Sequence, residues 1–122
     1  MVTCDTRSAS AAIIAGKAAM LKGDYREAVG HFQDASTHGA VPEAYLPWAI
    51  ECRLSMQQYG VAESLCAELA NSNPRNQSLA PYYRGACLYG LGRTDAARSE
   101  YAKARELGHP GALDALRVLG AN

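Results

Sequence analysis

The chain predicts an all-α fold: a stack of three antiparallel helical hairpins closed by a further helix. Three observations carry that prediction. Gly16, Gly23, Ala28, Ala35 and Gly39 recur 69 positions later as Gly85, Gly92, Ala97, Ala104 and Gly108, and Phe32 recurs as Tyr101. Ala62 stands 34 residues after Ala28 and 35 before Ala97, with Cys66 in the place of Phe32 and Tyr101, so a third copy lies between the other two. Within each copy the apolar residues recur three or four apart, the spacing of one helix face. A period near 34 residues marks hairpins that cannot bury their apolar faces alone and must stack on a neighbour.

The elements follow in order. Residues 1–8 read as a flexible N-terminus, with Ser8 or Ser10 capping a first helix over about 9–22 that carries Ile13, Gly16, Ala19 and Met20. Gly23 supplies a left-handed C-cap and Asp24 the next N-cap. The second helix, Tyr25 to His38, turns Ala28, Phe32 and Ala35 inward and stops at Gly39. A third helix over 43–57 opens near Pro42 and carries Tyr45, Trp48, Ala49 and Cys52. Pro47 falls inside it, where it lacks an amide hydrogen and clashes with the preceding turn, predicting a kink or a later start. No glycine marks the next turn; Gln57 and Gln58 stand there, and one extra residue is expected before Tyr59. The fourth helix, about 60–72, buries Ala62, Cys66 and Leu69 and ends by Asn71 to Pro74. A polar loop over 73–78 leads to Ser78 as N-cap and to a third hairpin, Leu79–Leu91 and Arg93–Leu107, with Gly92 between. Pro81 sits in a first turn, where it is tolerated. Residues 110–119, with Leu113, Leu116 and Leu119 three apart, read as a closing helix, and 120–122 as a tail. The repeats thus span about 9–41, 42–76 and 77–109 of one domain, 9–119.

Composition narrows the class. Twelve basic and twelve acidic residues cancel, which argues against a nucleic-acid or anionic-membrane surface. The cancellation is uneven: residues 1–74 hold five Lys/Arg against eight Asp/Glu, and residues 75–122 hold seven against four. Four cysteines (4, 52, 66 and 87) show no CxxC spacing, and three fall where the repeat predicts burial, as suits free thiols in a reducing, cytoplasmic setting. The three histidines have no partner at zinc spacing, so no metal or cofactor is expected. The apolar stretch Ala9–Leu21 is interrupted by Lys17 and belongs to the repeat, so it is read neither as a signal peptide nor as a membrane span.

The run Gly-Asp-Tyr-x-x-Ala-x-x-x-Phe-x-x-Ala at 23–35 resembles the second half of a tetratricopeptide repeat. Tyr45, Trp48-Ala49 and Cys52 resemble its first half, as do Pro81, Arg84-Gly85 and Leu88. Small residues at 16, 49 and 85 face alanines at 28, 62 and 97, with Phe32, Cys66 and Tyr101 between repeats. The stretch from Lys103 to Leu113 is also similar to the end of a Sel1-like repeat. The resemblance covers residues 9–119 and implies a right-handed superhelix whose first helices line a concave groove for an extended or helical segment of a partner protein. The groove positions it implies are Ile13, Lys17, Met20 and Leu21 in the first repeat and Leu79, Tyr82, Ala86 and Tyr89 in the third. For the second repeat two registers are open: Leu46 and Ile50, or Pro47, Glu51 and Leu54. Tyr82 and Tyr89 are equally readable as core.

One use of the family is excluded by its residues. Repeats that clamp the C-terminal carboxylates of heat-shock chaperones use Lys, Asn and Arg at places held here by Ile13, Lys17, Trp48 or Pro47, Leu79 and Tyr83, of which only Lys17 suits an anion. No phosphate loop, HExxH or nucleophile with a base is present, so the chain is expected to be non-enzymatic. Two functions stand: an adaptor or scaffold that holds a partner's segment, and a small chaperone resembling those of type III secretion that shields a hydrophobic export substrate. The expected state is a monomer or weak homodimer.

Overall fold

Each hairpin of the computed structural model turns in the same way. The structure describes residues 6–72 and 77–120, and among them form seven helices: α1 (Thr6–Leu21), α2 (Tyr25–Thr37), α3 (Pro42–Ser55), α4 (Tyr59–Ser72), α5 (Leu79–Gly90), α6 (Thr94–Glu106) and α7 (Ala112–Val118). Cys4, Pro74 and the extreme C-terminal residues of the expected tail lie outside the described residues. Within each hairpin three residues join the helices: Lys22–Asp24, Met56–Gln58 and Leu91–Arg93. The third of these donates its N–H five residues back, Asp24 to Ala19 (2.9 Å), Gln58 to Arg53 (2.8 Å) and Arg93 to Leu88 (2.9 Å). The middle residue is left-handed in all three, with φ of +81° at Gly23, +61° at Gln57 and +80° at Gly92.

This equality corrects the expected extra residue in the second turn. Counting back from the turns, Gly16, Ile50 and Gly85 are equivalent, and Ala49 is not the counterpart of the two glycines. The first-half match Tyr45, Trp48-Ala49 and Cys52 therefore stands one residue out of step. The reason is packing volume. A Cβ on Gly16 would lie 2.6 Å from the Phe32 ring, and one on Gly85 2.9 Å from the Tyr101 ring. Where the facing residue shrinks to Cys66, the glycine position grows to Ile50, and both are fully buried in one core cluster.

Other local expectations resolve individually. Asp24 caps α2, its Oδ1 accepting the Glu27 N–H at 3.2 Å. Ser8 and Ser10 lie inside α1, which starts at Thr6, so neither caps it. Ser78 stands at the N-cap of α5 but makes no side-chain capping bond. Pro42 opens α3, where an N–H would be unpaired anyway, and Pro47 is accommodated within the same helix.

Successive helices pack in order from α1 to α7, and α1 also adjoins α3 as α3 adjoins α5. The first helices of the hairpins therefore share one side. Ala28, Ala62 and Ala97 are fully buried, as are Phe32 and Cys66 within 1%. The larger core cluster spans the first two hairpins and reaches Cys87; a smaller one joins Leu88, Ala97, Tyr101 and Leu116. Helix α7 covers α6 through Ala112 and Leu116, whereas Leu113 is exposed.

Candidate binding surface

The shared turn geometry fixes which residues of α1, α3 and α5 are equivalent: Ile13, Pro47 and Tyr82; Lys17, Glu51 and Ala86; Met20, Leu54 and Tyr89. All nine are at least partly open to solvent. Leu46 and Ile50, the other register for the second repeat, are completely buried. They belong to the core because the second turn holds no extra residue, so the helix presents Pro47, Glu51 and Leu54 instead.

Between α1 and α3 this side opens into a cavity of about 400 Å³ lined by Lys17, Met20, Leu21, Tyr25, Trp48, Glu51 and Ser55. The Lys17 ammonium sits 4.6 Å from the centre of the Trp48 ring, where the negative face of the indole attracts the cation. Glu51 accepts a hydrogen bond from the Tyr83 hydroxyl at 3.2 Å, tying α3 to α5. Burial and this carboxylate push the Tyr83 pKa upward, so the phenol stays protonated and donating. Leu21 is 90% exposed at the end of α1. Trp48 and Tyr25 were not among the residues expected here. Trp48 follows Pro47 by one position, at the edge of the exposed face, and Tyr25 reaches the cavity from the start of α2. The recurrence of Tyr25 as Tyr59 was the available signal, since Tyr59 likewise opens its helix and its ring fills the space above Gly90 of the next hairpin.

The two tyrosines of α5 divide. Tyr89 is half exposed. Tyr82 is packed at the end of the stack, its ring 4.0 Å from His109 and nearly parallel, with Tyr83 and Tyr101 edge-on at 5.5 and 5.6 Å. Ile13 and Leu54 pack partly against the larger core, as does Leu79, while Ala86 lies against the smaller one.

A second cavity, of about 430 Å³, lies between α4, α5 and α6 and is lined by residues that include Glu63, Cys66, Arg84 and Glu100. Arg84 stands 3.8 Å from Glu63 and 3.9 Å from Glu100. Glu100 is largely buried and also meets Lys103 at 3.1 Å. Among the described residues, no three His, Cys, Asp or Glu side chains converge as a metal site requires, and no helix is long and apolar enough to cross a membrane. Comparison with protein-family models, with curated proteins and with solved structures found no match in any of the three.

Proposed function

We propose that this protein is a tetratricopeptide-type helical repeat that holds a peptide segment of a partner protein along α1, α3 and α5, as an adaptor without chemistry of its own. The observation that carries the reading is the solvent-open row of nine equivalent positions, mostly apolar, running along the side where the first helices adjoin. Direct contacts of α1 with α3 and of α3 with α5 are what a right-handed superhelix of such repeats requires of its inner helices, and this row would be its inner face. The Lys17–Trp48 pair and Leu21 place a cation and a large apolar area at one end, and Tyr89 places a rigid aromatic at the other. Aromatic anchors and adaptable methionines, such as Met20, suit peptide recognition. Three buried free thiols accord with a reducing cytoplasm.

The test is selection of a displayed random-peptide library against the folded chain, followed by affinity measurement for Leu21→Asp and Tyr89→Ala. Both positions are exposed, so melting should be unchanged. Binding of selected peptides should fall roughly 30-fold for Tyr89→Ala, the loss of an interface anchor worth ~2 kcal/mol. Selected peptides that bind both variants as tightly as the wild type would place the binding face elsewhere.

A further inference from the structure

Two thiols from different hairpins meet in the core. Cys66 on α4 and Cys87 on α5 have their sulfur atoms 3.9 Å apart, sharing a hydrogen bond, and each is at least 99% buried. A disulfide needs about 2.05 Å between sulfurs, so the remaining approach is within the reach of side-chain rotation combined with a small shift of α4 against α5. The two are not equally placed. Cys66 lines the cavity between α4, α5 and α6, whereas Cys87 does not. With 1% and 0% of their surfaces exposed, both thiols are reached only when α4 and α5 open locally, and an oxidant arriving from the cavity then has Cys66 as the nearer thiol.

We propose that Cys66 and Cys87 are a peroxide-responsive pair that forms a reversible disulfide, stapling the second hairpin to the third. The chemistry balances in two steps. The Cys66 thiol breaks the O–O bond of hydrogen peroxide, retaining one oxygen as a sulfenic acid and releasing one water. The Cys87 thiol then attacks the Cys66 sulfur, the S–O bond breaks, and the hydroxyl leaves as a second water with the Cys87 proton. Both sulfurs are oxidised and the peroxide is reduced. A dithiol reductant reverses the product by thiol–disulfide exchange. The hydrogen bond to Cys87 and burial raise the Cys66 pKa, while the same hydrogen bond lowers that of Cys87. The first step is therefore slow, Cys87 is the readier nucleophile of the second, and the pair answers sustained oxidant rather than traces. Where cytosolic disulfides occur they are usually of this transient kind.

Cys52 supplies the internal control. It is fully buried and free, lines neither of the two large cavities, and burial pushes its thiol up to about 11. Trypsin separates the cysteines conveniently, because Arg53 and Arg75 bracket Cys66 while Arg84 and Arg93 bracket Cys87. The experiment uses the full chain carrying Cys4→Ser, exposed to hydrogen peroxide until free glutathione in the same tube is fully oxidised. Remaining thiols are alkylated under denaturant, and the digest is analysed by mass spectrometry. The expected result is a linked pair of peptides, 54–75 with 85–93, with Cys52 still alkylated, and full recovery of free thiols after dithiothreitol. The stapled protein should unfold at a higher denaturant concentration, and Cys66→Ser or Cys87→Ser should abolish both the linked species and that shift. Full alkylation of all three thiols, a cross-link through Cys52, or sulfinic acid at Cys66 without a cross-link would overturn the proposal. The digest of the chain that keeps Cys52, Cys66 and Cys87 decides the matter even if a serine variant at 66 or 87 fails to fold.

Discussion

The outer hairpins and the middle one solve a single packing problem in opposite ways. In the first and third, a glycine on the first helix lies under an aromatic ring on the second: Gly16 under Phe32 and Gly85 under Tyr101. In the middle hairpin the bulk changes sides, with Ile50 on the first helix and Cys66 on the second, both fully buried. The comparison teaches that the repeat preserves the summed volume at the crossing rather than the identity of either residue. Interiors are packed too densely to preserve less.

The comparison can be broken most directly at the crossing itself. Ile50→Ala should cost ~2–5 kcal/mol, because it leaves a cavity opposite a residue too small to fill it. Gly16→Ala and Gly85→Ala should cost ~1–3 kcal/mol by the reverse fault, since each new methyl group meets a ring. Transplanting the middle solution into the first hairpin, Gly16→Ile with Phe32→Cys, should be less harmful than the sum of its single changes. Guanidinium denaturation of the two single variants and the double measures that coupling. Strictly additive losses would mean that the two positions do not share one packed volume.

How much of this was legible follows the same division. The hairpin stack, the inward alanines at 28, 62 and 97, and the turn glycines were readable because each obeys a local rule repeated at a fixed offset. The middle register was not. The repeat calls for a small residue opposite a bulky one, and Ala49 meets that demand one place away from Ile50. With no glycine in the turn, Gln57 and Gln58 offered nothing to anchor the count. Leu46 and Ile50 therefore read as one candidate register for the open face, although they are core. The exposed apolar row was legible only as far as the register was correct, so Pro47, Glu51 and Leu54 stood as one of two choices. Tyr82 and Tyr89 look alike in the sequence, but Tyr82 meets the turn between α6 and α7, where His109 stacks on it.

The turns give a milder test. Gln57 holds the left-handed conformation that glycine supplies at Gly23 and Gly92, and a side chain there costs ~1–2 kcal/mol of steric strain that glycine escapes. Gln57→Gly should therefore raise stability by about 1 kcal/mol once the added freedom of the unfolded glycine is subtracted. Gly92→Ala should lower it by a similar amount, with open space around it leaving backbone strain as the cause. Thermal melts of both variants check the pair. A stabilising effect of Gly92→Ala would show that the turns are not equivalent.

The smallest expected effect lies where the third hairpin departs from the first. After Gly39 the first continues through Ala40, whose N–H reaches Ala35 at 2.9 Å; after Gly108 the third places His109, bonded likewise to Ala104 at 2.9 Å. The imidazole stacks on Tyr82, and its Nδ1 accepts the Gly111 N–H at 3.0 Å, at the entry to α7. That acceptor exists only on the neutral ring, and burial lowers the His109 pKa below its ordinary 6.5. The unfolded chain therefore binds this proton more tightly than the folded one. Stability from His109 is fully present above the unfolded value, declines as pH falls toward the depressed folded value, and is flat below it. Melting temperatures from about pH 7.5 to about pH 5 should fall more steeply for the wild type than for His109→Gln, whose side chain does not titrate in this range. Parallel slopes would mean that the ring is equally at ease charged, and that the closing helix is held by Ala112 and Leu116 without help from the histidine.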